Sequence, residues 1–174
     1  MKNERLIDGL IEREARGLAP MFELVTTLNF GRCRLCIAVP DDQPYDGPAS
    51  LEGKRVATTY PHVVARWLRD KGVRAEVVTL SGAVEIAPRL GRADVICDLV
   101  STGNTLAANH LREVETVLDS QAVVVRTPVP IAAEKRDWLE RLLVRIDGVQ
   151  QVKESKYIML HAPRSALPWS SLAC

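Results

Sequence analysis

At 174 residues, 47% hydrophobic and 26% charged, the chain has the composition of one globular domain or two small lobes. A formal net charge of +1 and an aromatic content of 5% exclude the basic, base-stacking surface of a nucleic-acid-binding protein. No apolar stretch approaches the ~20 residues of a membrane span, and no apolar leader core follows Met1-Lys2-Asn3-Glu4-Arg5, so the expectation is a cytoplasmic protein without a membrane partner.

In chain order, Leu6, Ile7, Leu10 and Ile11 fall at helical spacing within Glu4 to Arg16, with Gly17 as a stop. Phe22 to Thr27 reads as a strand, Phe30-Gly31-Arg32 as a turn, and Cys33 to Val39 as a second strand ended by Pro40. The Cys33-x-x-Cys36 spacing invites a metal reading, but residues three apart on a strand face opposite ways. The cysteines (Cys33, Cys36, Cys97, Cys174) are therefore read as reduced and structural.

After a loop rich in Asp, Pro and Gly (Asp41 to Ser50), strands and short helices alternate. Lys54 to Thr59 is strand-like, and Pro61 to Lys71 is a helix stopped by Gly72, with Trp67 in the core. Ala75 to Leu80 is a strand, Ala83 to Leu90 a short helix, Ala93 to Val100 a strand, and Thr105 to Leu111 a helix. This alternation predicts βαβ units and a parallel sheet, whose ligands sit at the carboxyl ends of the strands. Thr58-Thr59-Tyr60, Ser81-Gly82-Ala83 and the Ser101 to Thr105 loop all fall at such ends and are expected to share one crevice.

Glu113 to Val125 reads as extended, and Pro130 to Ile146 as an amphipathic helix ended by Gly148. Val149 to Val152 and Lys156 to Leu160 read as extended, and the last residues as a tail. The expected class is α/β, two-lobed, with one complete βαβ lobe and one partial lobe. Residues 1–39 and 116–163 belong to the partial lobe, residues 40–115 form the complete one, and residues 164–174 are the tail.

The densest chemistry lies between Glu85 and Leu106. Ser101-Thr102-Gly103-Asn104-Thr105 joins a strand to a helix start, and such a junction suits a phosphate: free N–H groups, a favourable dipole, a glycine and three hydroxyls. An ordinary turn with a Ser/Thr cap explains the same residues. Asp98 is either a ligand for substrate hydroxyls or a cap for the loop backbone, and Glu85 either faces the crevice or pairs with Arg89. Thr58, Thr59 and Tyr60 are candidate crevice contacts, although a strand-end turn before Pro61 explains them as well. His62 and His110 are read as solvated or capping rather than catalytic.

Leu80-Ser81-Gly82-Ala83-Val84-Glu85-Ile86-Ala87-Pro88, Gly91, Ala93-Asp94 and Asp98 through Leu106 closely resemble the signature of ATP phosphoribosyltransferase, the first committed enzyme of histidine biosynthesis. Phe30-Gly31-x-Cys33-Arg34-Leu35, Gly53 through Thr58, Tyr60-Pro61 and Glu154-Ser155-Lys156-Tyr157 extend the resemblance from about Asn3 to Pro163. The resemblance implies a periplasmic-binding-protein-like fold, ATP and phosphoribosyl pyrophosphate as substrates, and Mg2+ carried on the pyrophosphate. It implies homo-oligomers for full-length members. It assigns the phosphoribosyl pyrophosphate site to Asp98, Ser101, Thr102, Gly103, Asn104, Thr105 and Leu106, with no protein ligand to the metal and no catalytic residue assigned. Family members begin with a further strand and a basic turn, and the long form continues into a histidine-binding regulatory domain. Against that pattern the chain is expected to be an inner fragment lacking both.

Overall fold

The computed structural model describes residues 22–154 and residue 161, in two units divided after Pro130. The first unit contains β1 (Glu23–Thr27), β2 (Cys33–Pro40), β3 (Arg55–Thr58), α1 (Pro61–Asp70), β4 (Glu76–Thr79), β5 (Val95–Val100), α2 (Asn104–Ala108), β6 (Leu111–Ser120) and β7 (Val123–Arg126). Single 3-10 turns occur at Pro48–Leu51 and Val84–Ile86, and the second unit holds α3 (Ala133–Glu154). The helix expected between Glu4 and Arg16, the strand expected from Lys156 to Leu160 and the tail lie outside the described residues.

Five strands form one sheet in the order β4-β3-β5-β2-β6, while β1 and β7 pair separately as an antiparallel ribbon. The expected parallel arrangement holds for β4, β3 and β5. The sheet as a whole is mixed, because β2 runs antiparallel to both β5 and β6. Thus Cys33 to Val39, expected to lie in the partial lobe, is an inner strand of this sheet.

The inner strands are covered on both faces, so their sequences are nearly continuous apolar runs instead of alternating ones. On one face Leu35, Ile37, Val39, Val56, Val95 and Cys97 pack with Val63, Val64 and Leu68 of α1 and with Leu51 and Tyr60. On the other face Cys36, Ala38, Ala57, Ile96 and Val100 meet Val84, Ala87, Leu106 and Leu111. Small side chains dominate the strand side of this second face, letting short covering segments sit close to the sheet.

Helix α1 is specified at both ends. Pro61 occupies its first turn, where a missing N–H costs nothing. At its C-terminus Gly72, at φ +71°, donates to Arg69 O at 3.0 Å, and Val73 N donates to Leu68 O at 2.9 Å. Trp67 is half-buried against the core, and the Lys71 ammonium lies 5.8 Å from its ring centroid.

Three expected elements differ in extent, each for a local reason. Pro88 has no N–H to continue the helix expected over Ala83 to Leu90, and Ala87 N instead donates to Val84 O at 3.1 Å, leaving a 3-10 turn. Helix α2 ends at Ala108 because His110 adopts φ +57° and Leu111 already pairs with Pro40, so the helix does not reach Leu111. Helix α3 runs through Gly148 and over Val149 to Val152, which were expected to be extended. A mid-helix glycine costs only about 1 kcal/mol against alanine, and Gln151 Nε2 bonds Asp147 Oδ2 across it at 2.8 Å.

At the edge where β3 and β5 begin, Asp94 receives the Arg55 backbone N–H at 2.8 Å and the Arg55 guanidinium at 2.8 Å, while Arg55 Nη1 donates to Gly91 O at 2.8 Å. These Arg55 bonds hold the Asp94 carboxyl below the usual carboxylate range. A depressed folded pKa contributes stability above the unfolded value, about 3.9, that disappears as pH falls through the folded value. Asp94→Asn is therefore expected to lower the urea midpoint at pH 7, with the gap to wild type closing below about pH 4; a gap unchanged down to pH 2 would exclude this ion pair as its source.

Candidate functional site

Because β3, β4 and β5 are parallel, their carboxyl ends emerge at one edge of the sheet. Thr58 is in register with Thr79 on one side and Cys97 on the other. Beyond that level β5 runs on through Asp98, Leu99 and Val100, supported by β2 through Cys36, Leu35 and Arg34. The Ser101 to Thr105 loop therefore starts roughly 13 Å past the end of β3.

The loop is fastened at both ends and open between them. Val100 is 3% exposed and Leu106 is 7% exposed, both in the second core face. Ser101, Thr102, Asn104 and Thr105 between them are exposed. Gly103 caps α2 at φ +80°, and the cap involves no side-chain hydrogen bond. The hydroxyls of Ser101, Thr102 and Thr105 make no hydrogen bond among the described residues. The space where a Cβ on Gly103 would stand is open, with no atom of the described residues within 4 Å.

Asp98 is half-buried, and its Oδ1 accepts the Leu99 N–H at 2.8 Å. The register that pairs Ala57 with Ile96 places Thr59 level with Asp98, on the face covered by the 3-10 turn carrying Glu85. Thr59 is half-buried, and its Oγ1 is shielded with no hydrogen-bond partner among the described residues. Glu85 is half-buried and follows Ala83, which adopts φ +52°. It makes no ion pair with Arg89 among the described residues. Thr58 and Tyr60 belong to the interior instead: they are 0% and 1% exposed, and Thr58 Oγ1 accepts the Tyr60 N–H at 3.0 Å.

Of the histidines, His110 is exposed and its carbonyl receives the Asp41 N–H at 3.0 Å, while His62 is exposed in the first turn of α1. Cys33 and Cys36 alternate along β2, with Cys36 in the second core face. Among the described residues no three His, Cys, Asp or Glu side chains cluster as a metal would require.

A charged group beside the loop escaped the sequence reading. Arg34 Nε and Nη2 grip the two carboxylate oxygens of Glu113 at 2.6 Å each, and Arg34 Nη1 reaches Ser101 O at 3.4 Å. Cys36 Sγ donates to Glu113 Oε1 at 3.1 Å. Hydrogen bonds from Arg34 hold the Glu113 carboxyl below the usual range. Burial, reinforced by the bond to Glu113, pushes the Cys36 thiol up to about 11 and keeps it protonated. Alternation along β2 already places Arg34 and Cys36 on one face; that β6 brings Glu113 alongside is a matter of tertiary pairing. Near the same end of β2 and β6 a recess of about 370 Å³ is lined by Arg32, Cys33, Asp119, Ser120 and Gln121.

The family model for ATP phosphoribosyltransferase (HisG) matches residues 8–148. Among solved structures, the chain is similar to an ATP phosphoribosyltransferase HisG:HisZ complex from Thermotoga maritima, at 27% identity and TM-score 0.68, over 85% of this chain and 68% of that one. It also matches the arginine-binding protein of Thermotoga maritima at 19% identity and TM-score 0.55, over 89% and 71% of the two chains. XAC2383 from Xanthomonas citri, bound to ATP, matches at 13% identity and TM-score 0.59, over 79% and 61%. The last two likenesses speak for the fold alone, an α/β architecture of the periplasmic-binding-protein type.

Leu106 is the buried fastening at the far end of the loop. Leu106→Ala is expected to cost about 2–4 kcal/mol of stability by leaving a cavity under α2; chemical unfolding that shows a loss below 1 kcal/mol would mean that α2 does not depend on this contact.

Proposed function

The chain belongs to the ATP phosphoribosyltransferase family of histidine-biosynthesis enzymes, and from that premise we propose that it joins ATP to phosphoribosyl pyrophosphate. In this reaction N1 of the adenine forms a bond to C1 of the ribose. The bond from C1 to the pyrophosphate oxygen breaks, and pyrophosphate leaves with the electron pair. Mg2+ enters as part of the substrate, bound to the pyrophosphate, and screens the charge that builds up there.

The work left to the protein is binding and alignment, the largest lever for two reactants that need no covalent relay. In this reading the Ser101 to Thr105 loop holds the 5-phosphate with its N–H groups and its three hydroxyls. Asp98 accepts hydrogen bonds from the ribose hydroxyls. The nucleotide side falls to Thr59 and Glu85, since Thr58 and Tyr60 are interior and serve as scaffold. The observation that carries the reading is that the hydroxyls of the exposed Ser101, Thr102 and Thr105 make no hydrogen bond among the described residues, while Gly103 opens the loop to close approach. An ordinary capped turn spends such hydroxyls on its own backbone. A cytoplasmic, homo-oligomeric enzyme is part of the same proposal.

Two glycines with similar backbone angles make the test specific. Gly103, at φ +80°, and Gly72, at φ +71°, both have open space among the described residues where a Cβ would stand, so an added Cβ is strained comparably in each. Gly103→Ala is expected to weaken phosphoribosyl pyrophosphate binding at least tenfold, and Gly72→Ala to leave it within about twofold, by titration calorimetry with Mg2+ present. Pyrophosphate release on adding ATP is the accompanying assay. Equal affinities in the two variants would remove the loop from the site. Retained binding without release would leave a binding protein instead of a catalyst.

A further inference from the structure

We propose that Arg34 is a positioning residue that sets the start of the Ser101 to Thr105 loop, acting as a brace across β6, β2 and β5. The loop's use for phosphoribosyl pyrophosphate rests on the function proposed above; the brace itself does not. Arg34 stands opposite Val100, the last residue of β5, on the strand that alone among the described residues accompanies β5 past Cys97. Its guanidinium spends two nitrogens on Glu113 of β6, which fixes the plane of the fork, and the third meets the carbonyl of Ser101, the first loop residue. Glu113 is itself held by the Cys36 thiol, so the fork has a fixed anchor on its far side.

Geometry explains why arginine is required. A lysine ammonium is a point charge on a flexible stem and cannot grip two carboxylate oxygens while presenting a third donor at a fixed angle. The brace also accounts for the division of charge: Glu113 neutralises Arg34, so the group orients the loop without competing for the phosphate. Leu106 secures the far end by burial. The loop then has one polar and one apolar fastening, with its exposed residues held between them.

The Arg55–Asp94 pair provides a matched control, being an arginine fork on a carboxylate at the edge where β3 and β5 begin, away from the loop. Arg34→Lys is expected to speed amide hydrogen exchange of residues 101–105 at least tenfold in the ligand-free protein. Arg55→Lys is expected to leave exchange there unchanged. With Mg2+ and phosphoribosyl pyrophosphate as the calorimetric probe, Arg34→Lys raises Kd about tenfold and Arg55→Lys less than twofold. Unchanged loop exchange in Arg34→Lys, or an equal rise in both variants, overturns the brace. Faster loop exchange in Arg34→Lys alone supports it even where the wild type fails to bind phosphoribosyl pyrophosphate, a result that overturns the proposed function instead. Glu113→Gln separates charge from shape: it keeps one acceptor for Arg34, and the brace predicts an intermediate exchange rate.

Discussion

The position of β5 is the constraint from which the candidate site follows. It is parallel to β3 on one side and antiparallel to β2 on the other, and among the described residues only the antiparallel neighbour accompanies it to its end. A strand end projecting beyond one neighbour leaves polar backbone exposed, a situation that needs either a partner or water. Here β2 supplies the partner, so a strand-to-helix junction projects beyond the sheet edge without being loose. The hydroxyl-rich loop owes both its exposure and its definition to that asymmetry.

Two arginine–carboxylate forks divide the sheet between them. Arg55 and Asp94 join β3 to β5 where those strands begin, and Arg34 and Glu113 join β2 to β6 near where β5 ends. Both are partly exposed, so their value lies less in stability than in fixing which backbone groups lie side by side. The apolar faces between them decide that the sheet forms; the forks decide how its two edges are finished.

Much of the fold was legible because local chemistry decided it. Pro61 and Gly72 bracket α1, Pro40 closes β2, and the short apolar runs of β3, β4 and β5 carry strand-forming residues at lengths that favour strands. The loop residues were legible for the same reason, as a compact group of Ser, Thr, Gly and Asn at a strand end. What escaped depended on contacts distant in sequence. Nothing near Arg34 announces that Glu113, 79 positions on, completes its fork. The antiparallel course of β2 is likewise set by pairing, and a strand's own residues do not reveal the direction of its neighbours. Thr58 and Tyr60 looked like crevice residues by position, but packing between the sheet and α1 took them inside. Gly148 misled for a different reason: a single glycine weakens a helix by too little to end it.

Among the described residues strand β6 closes one side of the sheet, and a ten-residue border strand is a template on which other chains can add. Its register with β2 shifts twice, and it carries Arg112, Glu113, Glu115 and Asp119 among its apolar residues. An incoming strand would meet irregular spacing and a run of charge where it needs a straight, neutral ladder. The residue that holds Arg34 thus belongs to a strand that also discourages the addition of a further strand, and replacing its acidic residues with valine or isoleucine would create a sticky sheet border.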